Sequence, residues 1–310
     1  MTRALARIIS KVVNKMSRKA KIQTISTMKT RLLMIFLLLT TCANAQESQE
    51  ISLKNTIQFK LESDLFKDEP FTIQVCLPKA YDKLKEYPVV YLLDADKSIG
   101  MAKEIADWLM FGKEIQDILI VGISYNKDDD TWWINRSRDY IPTSDTVSDF
   151  GKYWPKAGGA DRFLDYLQYS VMPSIEKKFL VNKRCTGIVG FSFGGLLVSY
   201  TMITRPNLFE RYIIISPGLI WDNSLVSRLE DKYYQSNKEL RKKVFISISS
   251  VDPKTIVIEP TKKFVEVINS RNYQGLELTY EYYENETHFS GYPRALTAGL
   301  KKLYVIENKQ

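Results

Sequence analysis

Five continuous apolar runs, separated by helical stretches, constrain the fold of this 310-residue chain more than any other feature. Strands that are covered on both faces of a sheet are apolar throughout, whereas half-covered strands alternate apolar and polar residues. The stretches between the runs, such as DRFLDYLQYSVMPSIEKKF, repeat apolar residues with a helical period. The pattern therefore predicts an α/β fold with a mostly parallel central sheet and helices on both faces. The runs are YPVVYLLDAD (87–96), DILIVGISY (117–125), CTGIVGFS (185–192), RYIIISPG (211–218) and KVFISISS (243–250).

The two ends of this pattern add further elements. ISLKNTIQFKLES and EPFTIQVCLP, near the beginning, alternate apolar and polar residues, which predicts antiparallel strands at an N-terminal edge of the sheet. LELTYEYYE (276–284) predicts a last strand, and YPRALTAGLKKLYVI predicts a closing helix. We therefore expect one domain over residues 46–310.

Residues 126–160 interrupt the alternation of strands and helices. They are rich in Asp, Trp and Tyr and show no clear period. A loop of this length inside a compact domain is usually functional or disordered, and the aromatic content of this one indicates an ordered cap. We predict that this segment is a loop or cap insertion over a site.

A sharp turn around Ser192 is the main candidate for catalytic chemistry. Gly190-Phe191-Ser192-Phe193-Gly194 follows an apolar strand and precedes the helix-like LLVSYTMI, which is the context of a G-x-S-x-G nucleophile elbow. The glycines leave room for a strained turn that exposes the serine. The backbone N–H of Phe193, at the helix start, is then placed to stabilise an oxyanion.

A serine nucleophile needs a base, and the chain contains one histidine, His288. His288 follows the last predicted strand, where proteins with this elbow place their histidine, and the acid lies between the serine and the histidine. Asp252, at the end of KVFISISSV, is the predicted acid. Glu259 and Asp222 stay open as alternatives, because each also fits a helix-start or loop carboxylate.

The second oxyanion donor is expected in the loop after the third strand, where Asp94-Ala95-Asp96 follows the apolar run. We predict that the backbone N–H of Ala95 or Asp96 supplies it, although a simple strand-end turn fits the same residues.

Aromatic and basic residues supply candidates for substrate contacts. The aromatic ones either line a platform for a feruloyl, catecholate or sugar group or pack in the core. Arg136 and Arg138 either pair with Asp139 or contact an anionic ligand. The candidates are Trp132, Trp133, Arg136, Arg138, Tyr140 and Trp221, with Trp154 as a further member of the aromatic set.

The chain resembles the putative-esterase family of α/β-hydrolases over residues 52–305. This family includes esterase D, the feruloyl and acetylxylan esterases and the enterobactin-type trilactone esterases. The resemblance is carried, in the family's order, by YPVVYLLDAD, IVGISY, RSRDYIPT, GGADRFLDYL, GFSFGG, SPGLIWDN and ETHFS. It implies an α/β-hydrolase fold and ester hydrolysis by a Ser-His-acid triad, without a metal or an organic cofactor.

We therefore expect a serine esterase that hydrolyses a small-molecule or carbohydrate-linked ester through an acyl-enzyme. Alternatives are a siderophore trilactone esterase specifically, an acyltransferase or peptidase on the same triad, and a non-catalytic binding protein of the same fold. The charge pattern argues against a nucleic-acid partner. Residues 1–45 contain nine of the 44 basic residues and none of the 36 acidic ones, so the remainder is nearly neutral.

The first 45 residues indicate export. Residues 28–45, MKTRLLMIFLLLTTCANA, have the basic start, apolar run and small-residue end of a signal peptide cleaved after Ala45. The apolar run is too short for a membrane span, and lipid attachment at Cys42 is an alternative to simple cleavage. Residues 1–27 are interpreted as an upstream extension from a mis-assigned start. The expected location is periplasmic or secreted.

Cys76 and Cys185 lie in apolar, strand-like runs and are predicted to be buried free thiols. No metal site is indicated by the spacing of cysteine, histidine and acidic residues.

Overall fold

The computed structural model describes residues 2–41, 52–67, 69–145 and 151–306. The chain divides into two compact units, residues 1–52 and 53–310. In the first unit a helix, α1, runs over Thr2–Thr41. None of the helices within the described ranges is long and apolar enough to cross a membrane. Cys42 and the predicted cleavage position after Ala45 lie outside the described residues.

Within the described residues, the second unit is built on an eight-stranded sheet. Its strands are β1 (Thr56–Leu61), β2 (Phe71–Cys76), β3 (Val89–Leu92), β4 (Leu119–Ser124), β5 (Gly187–Phe191), β6 (Arg211–Ile215), β7 (Lys243–Val251) and β8 (Glu277–Thr287). They lie in the order β1-β2-β4-β3-β5-β6-β7-β8. β2 pairs antiparallel with both β1 and β4, and all other neighbours are parallel. This confirms the predicted parallel sheet with antiparallel N-terminal edge strands.

Helices cover both faces of this sheet, as predicted. They are α2 (Ala95–Phe111), α3 (Asp129–Tyr140), α4 (Ala160–Tyr166), α5 (Met172–Lys178), α6 (Phe193–Thr204), α7 (Trp221–Ser236), α8 (Glu259–Arg271) and α9 (Gly291–Leu303). Because successive side chains of a strand point to opposite faces, Val90 and Leu92 of β3 pack in the hydrophobic cluster that contains residues of α2 and α9. Val89 and Tyr91 pack in the other hydrophobic cluster, which contains residues of α4, α6, α7 and α8.

In the 126–160 segment, which is predicted to be a loop or cap insertion, residues 129–140 form helix α3. Asp128 caps the start of this helix, because its carboxylate accepts a hydrogen bond from the backbone N–H of Thr131 at 2.9 Å. Its buried residues include Asn135, Arg136 and Asp139, so the helix has no apolar stripe. Sequence periodicity misses such a helix because its polar side chains are buried through ion pairs and hydrogen bonds rather than through apolar contact.

The parallel strands bring several predicted site residues to one edge of the sheet. Ser192 follows β5, Asp252 follows β7 and His288 follows β8. The carboxyl ends of parallel strands meet at the same edge, which is where ligands bind in open α/β sheets.

The two cysteines of the second unit are free thiols. Cys76 is buried and Cys185 is half-buried.

Candidate active site

Ser192 lies in a strained turn between β5 and α6. Its backbone has φ 57° and ψ −113°, a conformation that costs a non-glycine residue about 1–3 kcal/mol. The turn is held by the N–H of Ser192, which donates to the Ile215 carbonyl at 3.0 Å. A Cβ at Gly190 would lie 2.2 Å from the Gly194 carbonyl oxygen, so this turn accepts only glycine there. The elbow predicted from G-x-S-x-G therefore has a strand-turn-helix geometry.

His288 and Asp252 lie in direct contact. Asp252 directly follows β7, and its fully buried carboxylate places Oδ1 2.6 Å from Nδ1 of His288. The imidazole is 19% exposed and lies against the ring of Phe191, with 4.5 Å between the ring centroids. The ring is thus held on one side by the carboxylate and on another by the residue that precedes Ser192.

The second oxygen of Asp252 has two donors of its own. Oδ2 accepts the hydroxyl of Ser216 at 2.8 Å and the backbone N–H of Ser249 at 2.6 Å. Sequence reasoning did not identify Ser216, which follows the end of β6. Its only signal is its position at a strand end, and this becomes informative once β6 is known to lie beside β7.

The two alternative acids bond elsewhere. Glu259 lies at the start of α8, is largely exposed and pairs with Lys254 at 3.6 Å. Asp222 accepts a hydrogen bond from Thr143 at 2.8 Å. Of the three candidate carboxylates, Asp252 is the one that the structure brings to His288.

A mostly apolar pocket of about 270 Å³ contains both Ser192 and His288. Helix α3 supplies three of the predicted contact residues, Trp132, Trp133 and Arg136. Phe289, beside the histidine, is 71% exposed and lines the pocket. The other lining residues are Asp94, Lys97, Ser98, Met101, Phe191 and Tyr292.

Of the candidates for substrate contacts, Arg138, Tyr140 and Trp221 are not among the residues that line this pocket. Tyr140 is fully buried, and its hydroxyl accepts the backbone N–H of Asp94 at 3.2 Å. The Trp221 indole is 1% exposed and donates to Thr143 at 3.1 Å. These aromatic residues are core components, which was the alternative interpretation of their positions.

Trp154 lies behind the pocket wall rather than in it. Its ring packs between Trp133, at a centroid distance of 6.0 Å, and Phe193, at 5.0 Å. It therefore supports the aromatic wall formed by α3.

The two arginines of α3 have different partners. Arg138 pairs with Asp139 at 2.8 Å and with Glu69 at 2.5 Å. Arg136 pairs with Asp94 rather than with Asp139, so the prediction of a common partner is wrong. The Arg136–Asp94 pair is bidentate, with Nε–Oδ1 at 2.6 Å and Nη2–Oδ2 at 2.8 Å.

The Arg136–Asp94 pair joins α3 to the elbow. Arg136 is 2% exposed, and its Nη2 also donates to the Phe191 carbonyl at 2.8 Å. Although burial favours the neutral guanidine, the Asp94 carboxylate raises the pKa of Arg136 above its ordinary value. Asp94 itself has a left-handed backbone, with φ 57°, at the start of α2. A charged, bidentate pair thus fixes the loop after β3 against the turn that carries Ser192.

The predicted oxyanion donors lie at two adjacent helix starts. Phe193 is the first residue of α6 and Ala95 the first of α2. A Cβ at Gly194 would lie 3.4 Å from Oδ2 of Asp94, so the two helix starts are close together. The carboxylate of Asp96 accepts from the hydroxyl of Ser124 at 2.9 Å and does not line the pocket. The candidate oxyanion donors are therefore backbone groups: the N–H of Phe193, together with that of Ala95 or Asp96.

We expect Arg136→Met to lower the free energy of unfolding by about 3–5 kcal/mol, because it leaves the buried Asp94 carboxylate without its partner. The measurement is the urea midpoint at constant m-value. Arg205→Met is the matched control, since Arg205 pairs with Asp165 at 2.6 Å in a partly exposed position. Its loss should be about 0–1 kcal/mol. Equal losses of unfolding free energy in the two variants would show that burial of the Arg136–Asp94 pair does not add to its contribution to stability.

Comparison with known proteins gives a consistent result. The family model described as "Putative esterase" matches residues 66–303. The chain is 24% identical to the ferri-bacillibactin esterase BesA of Bacillus subtilis, over 83% of this chain and 92% of the relative. It is 32% identical to a siderophore triacetylfusarinine C esterase of Aspergillus fumigatus, over 61% of this chain and 64% of that relative.

Solved structures agree with the sequence relatives. A BES protein from Bacillus cereus superposes with a TM-score of 0.74 at 27% identity, covering 84% of this chain and all of that one. An IroE-like serine hydrolase from Shewanella oneidensis has a TM-score of 0.71 at 28% identity, covering 80% of each chain. These similarities confirm the expected α/β-hydrolase fold. The chain therefore belongs to the Putative esterase family and is a carboxylic-ester hydrolase.

Proposed function

We propose that the chain is an exported serine esterase in which Ser192 is the nucleophile, His288 the general base and Asp252 the acid. The observation that carries the proposal is the 2.6 Å contact between Nδ1 of His288 and Oδ1 of Asp252, in a pocket that Ser192 also lines. The strained backbone of Ser192 supports it, because strain of this kind concentrates at functional sites.

In the proposed mechanism, each group of the triad has its own step in the reaction. Asp252 accepts the Nδ1–H of His288, which leaves Nε2 unprotonated as the base. Nε2 takes the proton of Ser192 as Oγ attacks the ester carbonyl, and the resulting imidazolium returns the proton to the leaving alcohol. Water, activated in the same way, then hydrolyses the acyl-enzyme. The backbone N–H of Phe193 and that of Ala95 or Asp96 are the proposed donors to the oxyanion.

The pocket and the relatives together suggest the substrate class. Trp132, Trp133 and Phe289 give the pocket walls on which an aromatic group can stack. Lys97, whose amine pairs with Asp129, adds a positive charge to the mostly apolar lining. One relative is named as an esterase of ferri-bacillibactin and another as an esterase of the siderophore triacetylfusarinine C. We propose a small-molecule siderophore ester as the substrate, ahead of a feruloyl, sugar-linked or short acyl ester.

A reactive-serine probe tests the proposed function. A fluorophosphonate should label the chain at one site, with the modified peptide containing Ser192, because only an activated serine displaces fluoride from the probe. A hydrolysis panel of siderophore esters, feruloyl or acetyl sugars and p-nitrophenyl acetate should then give the highest kcat/KM for a siderophore ester. Absence of both labelling and hydrolysis would instead favour a non-catalytic binding protein.

Export is proposed from the sequence of residues 28–45, whose basic start and apolar run suit a signal peptide. Protein recovered from the periplasm of a Gram-negative host should begin at Gln46, as measured by intact mass. A mature chain that begins at a lipid-modified Cys42 would indicate anchoring, and an uncleaved chain in the cytoplasm would contradict export.

A further inference from the structure

Ser216 adopts a backbone conformation that serine rarely takes. It follows the end of β6 with φ 43°, is 1% exposed and donates its own N–H to the Ser247 carbonyl at 2.8 Å. Holding a non-glycine residue in this region costs about 1–3 kcal/mol. A cost of this size, carried by a fully buried residue, raises the question of what the conformation achieves.

The conformation brings the hydroxyl of Ser216 to the carboxylate that contacts the histidine. Its Oγ donates to Oδ2 of Asp252 at 2.8 Å, while the other oxygen, Oδ1, lies 2.6 Å from His288. The last torsion of an aspartate side chain is broad and roughly two-fold, so its orientation depends on the donors around it. With two donors on Oδ2, from Ser216 and from the backbone of Ser249, the carboxylate presents Oδ1 to the imidazole.

The chain does not need a partner for every buried serine hydroxyl in this region. Ser247, on the neighbouring strand β7, is 1% exposed and its Oγ has no hydrogen-bond partner among the described residues. The contact between Ser216 and Asp252 is therefore not a general requirement for burying a serine at this place. Ser247 also provides a control of the same residue type and the same burial.

We propose that Ser216 is a positioning residue of the esterase: its hydroxyl orients the Asp252 carboxylate and, through it, His288. The inference rests on the proposed function of Ser192, His288 and Asp252. Ser216 is 1% exposed and does not line the pocket, so we expect it to act on the chemical step and not on binding. Its loss should lower kcat and leave KM unchanged.

The first test is Ser216→Ala with p-nitrophenyl acetate. A hydrogen bond to a charged group is among the strong ones, so we expect kcat to fall about ten- to hundredfold with KM within about twofold. Ser247→Ala should keep kcat within about twofold. If Ser216→Ala does not fold, Ser216→Gly replaces it, because glycine takes a positive φ without strain. Wild-type kcat in the folded Ser216 variant would overturn the inference.

A double-mutant cycle separates positioning from general structural damage. If Ser216 acts through the Asp252 carboxylate, Ser216→Ala should change kcat less than about threefold in an Asp252→Asn background. An equal loss in both backgrounds would mean that Ser216 acts by another route and would overturn the inference. Failure of the proposed function is distinguishable, because the unmutated protein would then be neither labelled by the fluorophosphonate nor active.

Discussion

Ser192→Ala should abolish turnover of p-nitrophenyl acetate while the protein stays folded. Removing the nucleophile of such a triad costs on the order of a millionfold in kcat, because the acyl-enzyme can no longer form on Ser192. The fold should persist, since Ser192 holds the elbow through its backbone N–H, which alanine retains. The measurements are the steady-state rate and the thermal midpoint of both proteins.

A matched serine in the helix that follows Ser192 controls for this substitution. Ser199 of α6 is fully buried, and its hydroxyl donates within the helix to the Gly195 carbonyl at 2.8 Å. Ser199→Ala should therefore keep its turnover within about threefold, because the lost bond is local. A Ser192→Ala variant with near wild-type turnover would remove Ser192 from the mechanism and with it the proposed function.

The second large effect is expected for Asp252→Asn, with a fall of roughly 10⁴-fold in kcat. The carboxylate holds the Nδ1–H tautomer of His288 and stabilises the imidazolium, and an amide does neither. Nδ1 of His288 and Oδ1 of Asp252 lie 2.6 Å apart, and the carboxylate is fully buried, so water cannot replace the carboxylate. Single-turnover acylation with p-nitrophenyl acetate measures the chemical step directly.

The two other candidate acids are the controls for this prediction. Glu259→Gln and Asp222→Asn should each stay within about tenfold of wild-type kcat, because Glu259 pairs with Lys254 and Asp222 with Thr143. If Asp252→Asn retained its turnover while one of these two variants collapsed, the histidine would have a different partner during catalysis. That result would also contradict the role proposed for Ser216.

Much of the framework could be predicted because its signals are local. A strand buried on both faces is a short apolar run, and the turn at Ser192 needs glycine at Gly190 for a steric reason that the spacing itself shows. His288 was identifiable because the chain has one histidine and it follows the last strand. The fold class and the candidate nucleophile and base could therefore be inferred without knowledge of any long-range contact.

The remaining features depend on contacts between distant parts of the chain. The Arg136–Asp94 pair joins residues 42 positions apart, and it buries a face of α3 that carries polar side chains. Hydrophobic periodicity cannot detect a helix that packs in this way. For the same reason, sequence alone could not separate the pocket residues Trp132 and Trp133 from the core residue Trp221.

The sequence by itself determined the succession of strands and helices along the chain, except for α3, and it identified the serine turn and the single histidine. Each of these follows from residue type and spacing over a few positions. Only the tertiary structure decided which carboxylate meets His288 and which side chain holds that carboxylate. Both answers depend on strand order: β6, β7 and β8 are adjacent, so residues that follow them meet at one edge of the sheet. Strand order is a property of the whole packed chain, and no local pattern of residues specifies it.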